Sequence, residues 1–253
     1  MSKVLVESAG AVRTVTLNRA EKRNALDPEM LTLLTEAFRV EPPAEERVTV
    51  IRSTGTVFCA GLDLRERLGT LDQPGASSIE DVLHAIEMYP LPVVGVVQGD
   101  AIAGGNELAL HCDLVVASTA ARFGMSLAQV GLAPTWFLAK KLLEVAGPVA
   151  SREILLLGDP LPAERMHALG IISRVAAPAE LDAAATAVID RLVANAPLSL
   201  RAMKALLVRE MAFRDGIGHA DVDELVEAAR RSTDSREGIT ARLEKRAPRF
   251  TGA

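Results

Sequence analysis

The chain is poor in the residues that staple small secreted domains and in those that bulk out most cores. It has two cysteines, Cys59 and Cys112, and no CxxC pair. Both stand in apolar stretches, so they read as buried free thiols in a reducing compartment, and a disulfide framework is not implied. One tryptophan, one tyrosine and six phenylalanines leave a core built mostly of Ala, Val and Leu. Long basic runs are missing and the net charge is -5, which removes the electrostatic footprint of a nucleic-acid binder. An anionic ligand must then be held locally, by backbone N–H groups and a few Lys or Arg. Charges interrupt every apolar run before a bilayer is crossed, and no basic-then-apolar leader opens the chain. The expectation is a soluble, cytoplasmic protein with no membrane span. Neither G-x-G-x-x-G nor G-x-x-x-x-G-K-[ST] occurs, so dinucleotide and nucleoside-triphosphate binding lose their main support.

What is present suffices for one large core: 253 residues, 49% of them hydrophobic. Val4–Glu7 and Val12–Leu17 alternate as a strand pair split at Ala9-Gly10. Asp27 is a good N-cap, followed by Pro28 and Glu29, and predicts a helix to about Val40, stopped by Glu41-Pro-Pro43. Arg47–Arg52, Val93–Val97 and Leu114–Ala117 read as strands, and Ile79–Met88 as a helix. Thr70–Ser78, rich in Gly, Pro, Ser and Asp, reads as a mobile loop. Nearly continuous apolar strands alternating with helices argue for parallel sheets covered by helices. From about Ala177 helices follow one another: Glu180–Ala194, Leu198–Phe213, Val222–Arg231 and Ser235–Lys245. The clearest boundary falls near Pro197, dividing a core of residues 1–196 from a helical region of residues 197–253.

The chemistry concentrates in Ala101-Ile-Ala-Gly-Gly-Asn-Glu-Leu-Ala-Leu-His-Cys-Asp113. Gly104-Gly105 stands where a helix begins, with free N–H groups and the positive end of the helix dipole. That suits a carbonyl oxygen gaining negative charge. Taken alone, a glycine pair before a helix is more often a sign of tight helix–strand packing. Ala60-Gly61-Leu62-Asp63 reads as a turn after a strand, in which Gly61 frees the Leu62 N–H and Asp63 caps the next helix.

Together these segments resemble the enoyl-CoA hydratase/isomerase (crotonase) superfamily. Arg23-Asn-Ala-Leu26 is similar to its adenine-side loop, and Phe58-Cys-Ala-Gly-Leu-Asp-Leu64 to its first oxyanion segment. Pro92–Gly99 and the Gly-Gly-Asn-Glu run are similar to its second, and Ala121–Gly124, Gly131-Leu132, Thr233–Gly238 and Leu243–Phe250 continue the match. The resemblance implies an α/β fold, a spiral of ββα turns with a helical C-terminal trimerisation region, in a homotrimer or dimer of trimers. It implies an acyl-CoA thioester as ligand, coenzyme A entering as part of the substrate, and no separate cofactor or metal. Asn24, Ala25 and Leu26 would line the adenine side; Ala60, Gly61, Leu62, Asp63, Leu64 and Gly104 would surround the thioester. The N–H groups of Leu62 and Gly104 would hold its oxygen.

Hydratases of this kind use two acids, one at the position of Glu107 and one twenty residues on. Here the second position is Leu127, and Gln129 nearby is no carboxylic acid. A leucine neither gives nor takes a proton. The expectation is therefore an enzyme with Glu107 as its single acid/base, poor at two-carboxylate hydration and better suited to isomerisation or to hydrolysis of a C–C or thioester bond. The alternative is a non-hydrating acyl-CoA binding protein on the same fold. Glu107 could also be a helix-start carboxylate with a solvated or Arg-paired head. Trp136 and Phe137 either line the acyl tunnel or pack in the core. His84, His111, Ser126 and the terminal Lys245, Arg249 and Phe250 are weaker candidates, and no ligand cluster supports a metal.

Overall fold

A computed structural model describes residues 2–70 and 79–252. The chain order is β1 (Val4–Ala9), β2 (Val12–Leu17), α1 (Pro28–Arg39), β3 (Val48–Ser53), α2 (Leu64–Thr70), α3 (Ile79–Met88), β4 (Val93–Val97), β5 (Ala101–Ile102), α4 (Gly104–Leu110), β6 (Leu114–Ser118) and β7 (Arg122–Gly124). There follow α5 (Trp136–Arg152), β8 (Leu161–Pro162), α6 (Ala163–Ala168), β9 (Arg174–Ala176), α7 (Leu181–Ala194), α8 (Pro197–Met211), α9 (Ala220–Arg231) and α10 (Thr233–Glu244). The stretch read as a loop over 70–78 lies outside the described residues, except for Thr70 at the end of α2.

The larger sheet has the order β1-β2-β3-β4-β6-β9, and the smaller one β5-β7-β8. Only β1 runs antiparallel in the larger sheet, paired with β2 across the turn at Gly10. The runs β4-β5-α4 and β6-β7-α5 are successive ββα turns. The first strand of each lies in the larger sheet and the second in the smaller, so the chain winds as a spiral.

Burial explains the apolar strands. On one face Val15, Leu17, Ile51, Val93 and Val97 join Leu34, Leu83, Ile86 and Leu108 of the helices in the main core. On the other face Val48, Val50, Val94, Val96 and Val116 meet Leu181 and Ala185 of α7. A strand covered on both faces has no solvent side for polar residues. The Asp27 cap forms as its sequence predicts, with Oδ1 accepting the Met30 N–H at 3.0 Å.

Helix α5 is a finding that sequence reading did not anticipate beyond Trp136-Phe137. Thr135 caps it through the Leu138 N–H at 3.5 Å, and Gly147 (φ 66°, ψ 174°) breaks it before Pro148. That Gly-Pro step hides the helix from periodicity. A helix begins at Pro197, and the buried Lys204 on α8 ties it to the core. Its Nζ donates to the carbonyls of Ile86 and Leu91, each at 3.2 Å, and to Asp113 Oδ2 at 2.7 Å.

Candidate active site

Two backbone segments meet where the spiral crosses itself. Residues 58–64 lie beside β5: the Cys59 N–H reaches Asp100 O at 3.1 Å, and the Ile102 N–H reaches Cys59 O at 2.9 Å. Further along, Gly61 O accepts from the Leu26 N–H at 2.8 Å, and the Asp63 N–H reaches Leu26 O at 2.9 Å. In an extended pairing the intervening residue turns its N–H the other way. Leu62 does so, and its N–H has no acceptor among the described residues. The Gly104 N–H is likewise without an acceptor there, as expected for the first turn of a helix. A methyl group built on Gly61 would lie 3.0 Å from Gly104 N, and one on Gly104 would lie 3.5 Å from Leu62 N. The two donors therefore border one small half-buried space. Two converging N–H groups can hold a carbonyl oxygen and stabilise charge that develops on it.

The two glycines of the pair stand in different surroundings. Gly105 serves packing, since a Cβ there would stand 2.1 Å from Cys59 O, a backbone atom that cannot yield. Gly104 faces the donor space, and a Cβ there would press only on the end of Ile79, at 2.7 Å. Between β5 and α4, Ala103 adopts φ 49°, ψ -115°, a conformation costly for any residue with a Cβ.

Glu107 lies in the first turn of α4 and is 1% exposed. Neither carboxylate oxygen has a hydrogen-bond partner among the described residues. Its head is thus neither solvated nor Arg-paired. Burial pushes the carboxyl up to about 8, against the pull of the Lys141 ammonium. Asn106 beside it is also buried, with both amide atoms unpartnered among the described residues. His111, one turn on, sets Nδ1 2.8 Å from the Glu107 carbonyl, so Nδ1 carries the hydrogen and Nε2 keeps a lone pair. Burial holds the imidazole down near 3, with the Lys141 charge acting in the same sense. His111 stacks on Phe137 at 5.3 Å between ring centroids.

The other sequence candidates separate by burial. Asn24 is wholly buried. Its Oδ1 accepts from the Arg19 N–H at 2.8 Å, and its Nδ2 donates to the carbonyls of Thr54 and Val57. Its side chain thus fixes the shape of the loop that presents Ala25 and Leu26. Asp63 accepts from the Arg65 N–H at 3.1 Å and from Arg19 Nη1 at 2.9 Å, which is the capping role. Leu127 is half-buried against the main core. His84 is exposed, 6.4 Å from the Phe137 ring. Trp136 stacks on His219 at 4.6 Å. Both cysteines are free and buried, and burial pushes Cys59 up to about 12, an inert thiol. Lys245, Arg249 and Phe250 lie at the surface. Among the described residues, no group of three or more His, Cys, Asp or Glu could hold a metal ion, and no helix is long and apolar enough to cross a membrane. Sequence reading missed Glu87, Lys141 and Glu144, a half-buried ionic group that joins α3 to α5. The spacing of Phe137, Lys141 and Glu144 along one helix was the available signal.

The spiral of ββα turns is an α/β architecture of the crotonase fold. Residues 7–253 match the family model for enoyl-CoA hydratase/isomerase, and the chain belongs to that family. It is 38% identical over 251 residues to a provisionally named enoyl-CoA hydratase of Thermus thermophilus, covering 95% of this chain and 98% of that one. It is 34% identical over 261 residues to the (E)-benzylidenesuccinyl-CoA hydratase of Thauera aromatica, covering 99% of each. Among solved structures it superposes on methylmalonyl-CoA decarboxylase in complex with 2-nitronate-propionyl-CoA. The TM-score there is 0.91 at 25% identity, with 99% of both chains covered.

Proposed function

We propose that this enzyme binds an acyl-CoA thioester, polarises its carbonyl between the N–H groups of Leu62 and Gly104, and moves a proton with Glu107 as the single acid/base. The observation that carries this reading is the convergence of two acceptor-free N–H groups beside a buried, unpartnered carboxyl. Negative charge on the thioester oxygen is met by fixed dipoles in a site shielded from water, where such donors act most strongly. The α-proton of the thioester is acidified by that charge, and Glu107 is the group available to take it and return it. With Leu127 in place of a second acid, a one-acid reaction such as double-bond isomerisation is favoured over rapid two-carboxylate hydration. Asn24, Ala25 and Leu26 would shape the adenine side, and Ala60 to Leu64 the thioester side. Coenzyme A enters with the substrate. Exposed apolar side chains on the C-terminal helices, among them Leu198, Met203, Leu206, Leu207 and Leu225, support burial in a homotrimer or dimer of trimers. Sedimentation as a monomer would remove that part of the reading.

The test is turnover of 2-enoyl-, 3-enoyl- and methylmalonyl-CoA by the native enzyme and by Glu107→Gln, with product identified by mass spectrometry. The variant is expected to lose about 100- to 10,000-fold in kcat/KM while still binding acyl-CoA. As a base, Glu107 gives a native rate that rises with pH through about 8. Undiminished turnover in Glu107→Gln refutes the mechanism. Tight binding with no product from any substrate would leave only an acyl-CoA binder.

A further inference from the structure

The start of α3 stands against the start of α4. A Cβ built on Gly104 would lie 3.5 Å from Leu62 N and 2.7 Å from Ile79 Cδ1, so a single point adjoins both a donor and that methyl group. Carbon atoms in contact sit about 3.5–4.0 Å apart. The gap between Gly104 and Ile79 is therefore too shallow for even one methyl group. Ile79 is 7% exposed and belongs to the main core with Val82 and Leu83. A β-branched side chain at interior packing density has few places to turn. The next residue, Glu80, accepts a hydrogen bond from the hydroxyl of Thr135, the cap of α5, which ties the first turn of α3 in place. Covering a glycine calls for an apolar side chain. It does not call for one long enough to reach the space between the two donors.

We propose that Ile79 is a specificity-determining residue: its Cδ1 methyl walls the acyl side of the donor pair and restricts the site to thioesters unbranched at the carbon next to the carbonyl. The inference rests on the reading in which Leu62 and Gly104 hold the thioester oxygen. With the oxygen between those N–H groups, the carbonyl carbon carries sulfur on one side and the α-carbon on the other. Leu26 bridges to Leu62, so the loop of residues 24–26 adjoins the first donor, on the coenzyme flank of that reading. Glu107 lies nearly one turn beyond Gly104 on α4, and the carbon it deprotonates lies on that flank. Ile79 stands against Gly104, on the same flank. A hydrogen on the α-carbon clears a wall of this depth, and a methyl group does not. Methylmalonyl-CoA is branched at that carbon and is disfavoured in the same way.

The experiment compares, by calorimetry, the dissociation constants of butanoyl-CoA, 2-methylbutanoyl-CoA and 3-methylbutanoyl-CoA, which have no double bond to move. The native enzyme is expected to bind butanoyl-CoA about 10-fold or more tightly than its 2-methyl derivative. Ile79→Val deletes Cδ1 alone and should narrow that gap several-fold; Ile79→Ala should narrow it about 10-fold or more. The 3-methyl compound, branched one carbon further out, should shift less. Ile86→Val, two turns along α3, makes the same deletion away from Gly104 and should leave every ratio at its native value. A gap that does not narrow in folded Ile79→Val and Ile79→Ala overturns the proposal. So do equal native affinities for the straight and 2-methyl chains, and equal changes for the two branched isomers. If Ile79→Ala does not fold, Ile79→Val decides by itself: a narrowed gap supports the proposal and an unmoved one overturns it. A narrowed gap with full turnover in Glu107→Gln would defeat the acid/base reading and leave the wall standing. An unmoved gap with an inactive Glu107→Gln would do the reverse, and no binding of any acyl-CoA would overturn both.

Discussion

Glu107 and Glu87 are both largely removed from water, on neighbouring helices, yet they hold their protons with opposite firmness. Burial raises Glu107, and nothing bonded to it offsets the rise. Burial pushes Glu87 upward too, but the Lys141 ammonium at 2.6 Å outweighs it and holds that carboxyl below its ordinary range. The contrast extends beyond the two residues. Around the start of α4 several local rules are broken at once: a dry carboxyl, an unpartnered Asn106 amide, acceptor-free N–H groups at Leu62 and Gly104, and an alanine at positive φ. The Glu87 and Glu144 carboxylates, by contrast, each lie within ion-pair distance of Lys141. Rule-breaking of this kind concentrates where a ligand completes the bonding, and ordinary pairing supports it from the next layer.

The largest effect that could break this comparison is a stability change with pH. The native Glu107 carboxyl keeps its proton up to about 8, whereas an unfolded glutamate releases it near the ordinary value of 4.5. The unfolded chain therefore gains as pH rises across that window, and native stability falls. Glutamine has no proton to lose. Relative to the native protein, Glu107→Gln should gain on the order of 4 kcal/mol between pH 4.5 and 8, read from urea midpoints. A difference independent of pH would mean that the carboxyl is hydrated. His111 works in the mirror direction: its depressed imidazole contributes stability above the ordinary value of 6.5 that is lost as pH falls toward about 3.

Glu87→Gln should move the other way. It leaves Lys141 buried with Glu144 as its remaining partner and should cost about 3 kcal/mol at pH 7 by chemical denaturation. Equal stability would show that the ionic group is solvated, and the contrast would fail. The smallest test concerns the backbone. Ala103→Gly should relieve the strained φ and ψ and stabilise the fold by about 1 kcal/mol. A loss instead would show that the alanine methyl contributes packing worth more than the strain.

Much of this was legible in the chain. Asp27-Pro28-Glu29 announced α1, and the runs of valine announced parallel strands covered by helices. Glycines before an acid in a helix's first turn marked the candidate site. Other features were not legible, for identifiable reasons. Gly147-Pro148 broke the pattern of α5. The division of labour between Gly104 and Gly105 depends on where Cys59 O lies, a contact 46 positions away in the chain. The amide of Asn24 could be read as ligand-facing until its partners on Arg19, Thr54 and Val57 were seen.

By itself, the sequence determined what local chemistry can encode: the caps, the strand runs, the glycine pair, the acid at position 107 and the leucine at position 127. The tertiary structure decided which N–H groups stay free, which glutamate is dry, and that a lysine on α5 pairs with the glutamate on α3. The physical reason is that desolvation and Coulomb interaction depend on surroundings assembled from distant parts of the chain, whereas caps and periodicities depend on neighbours in sequence.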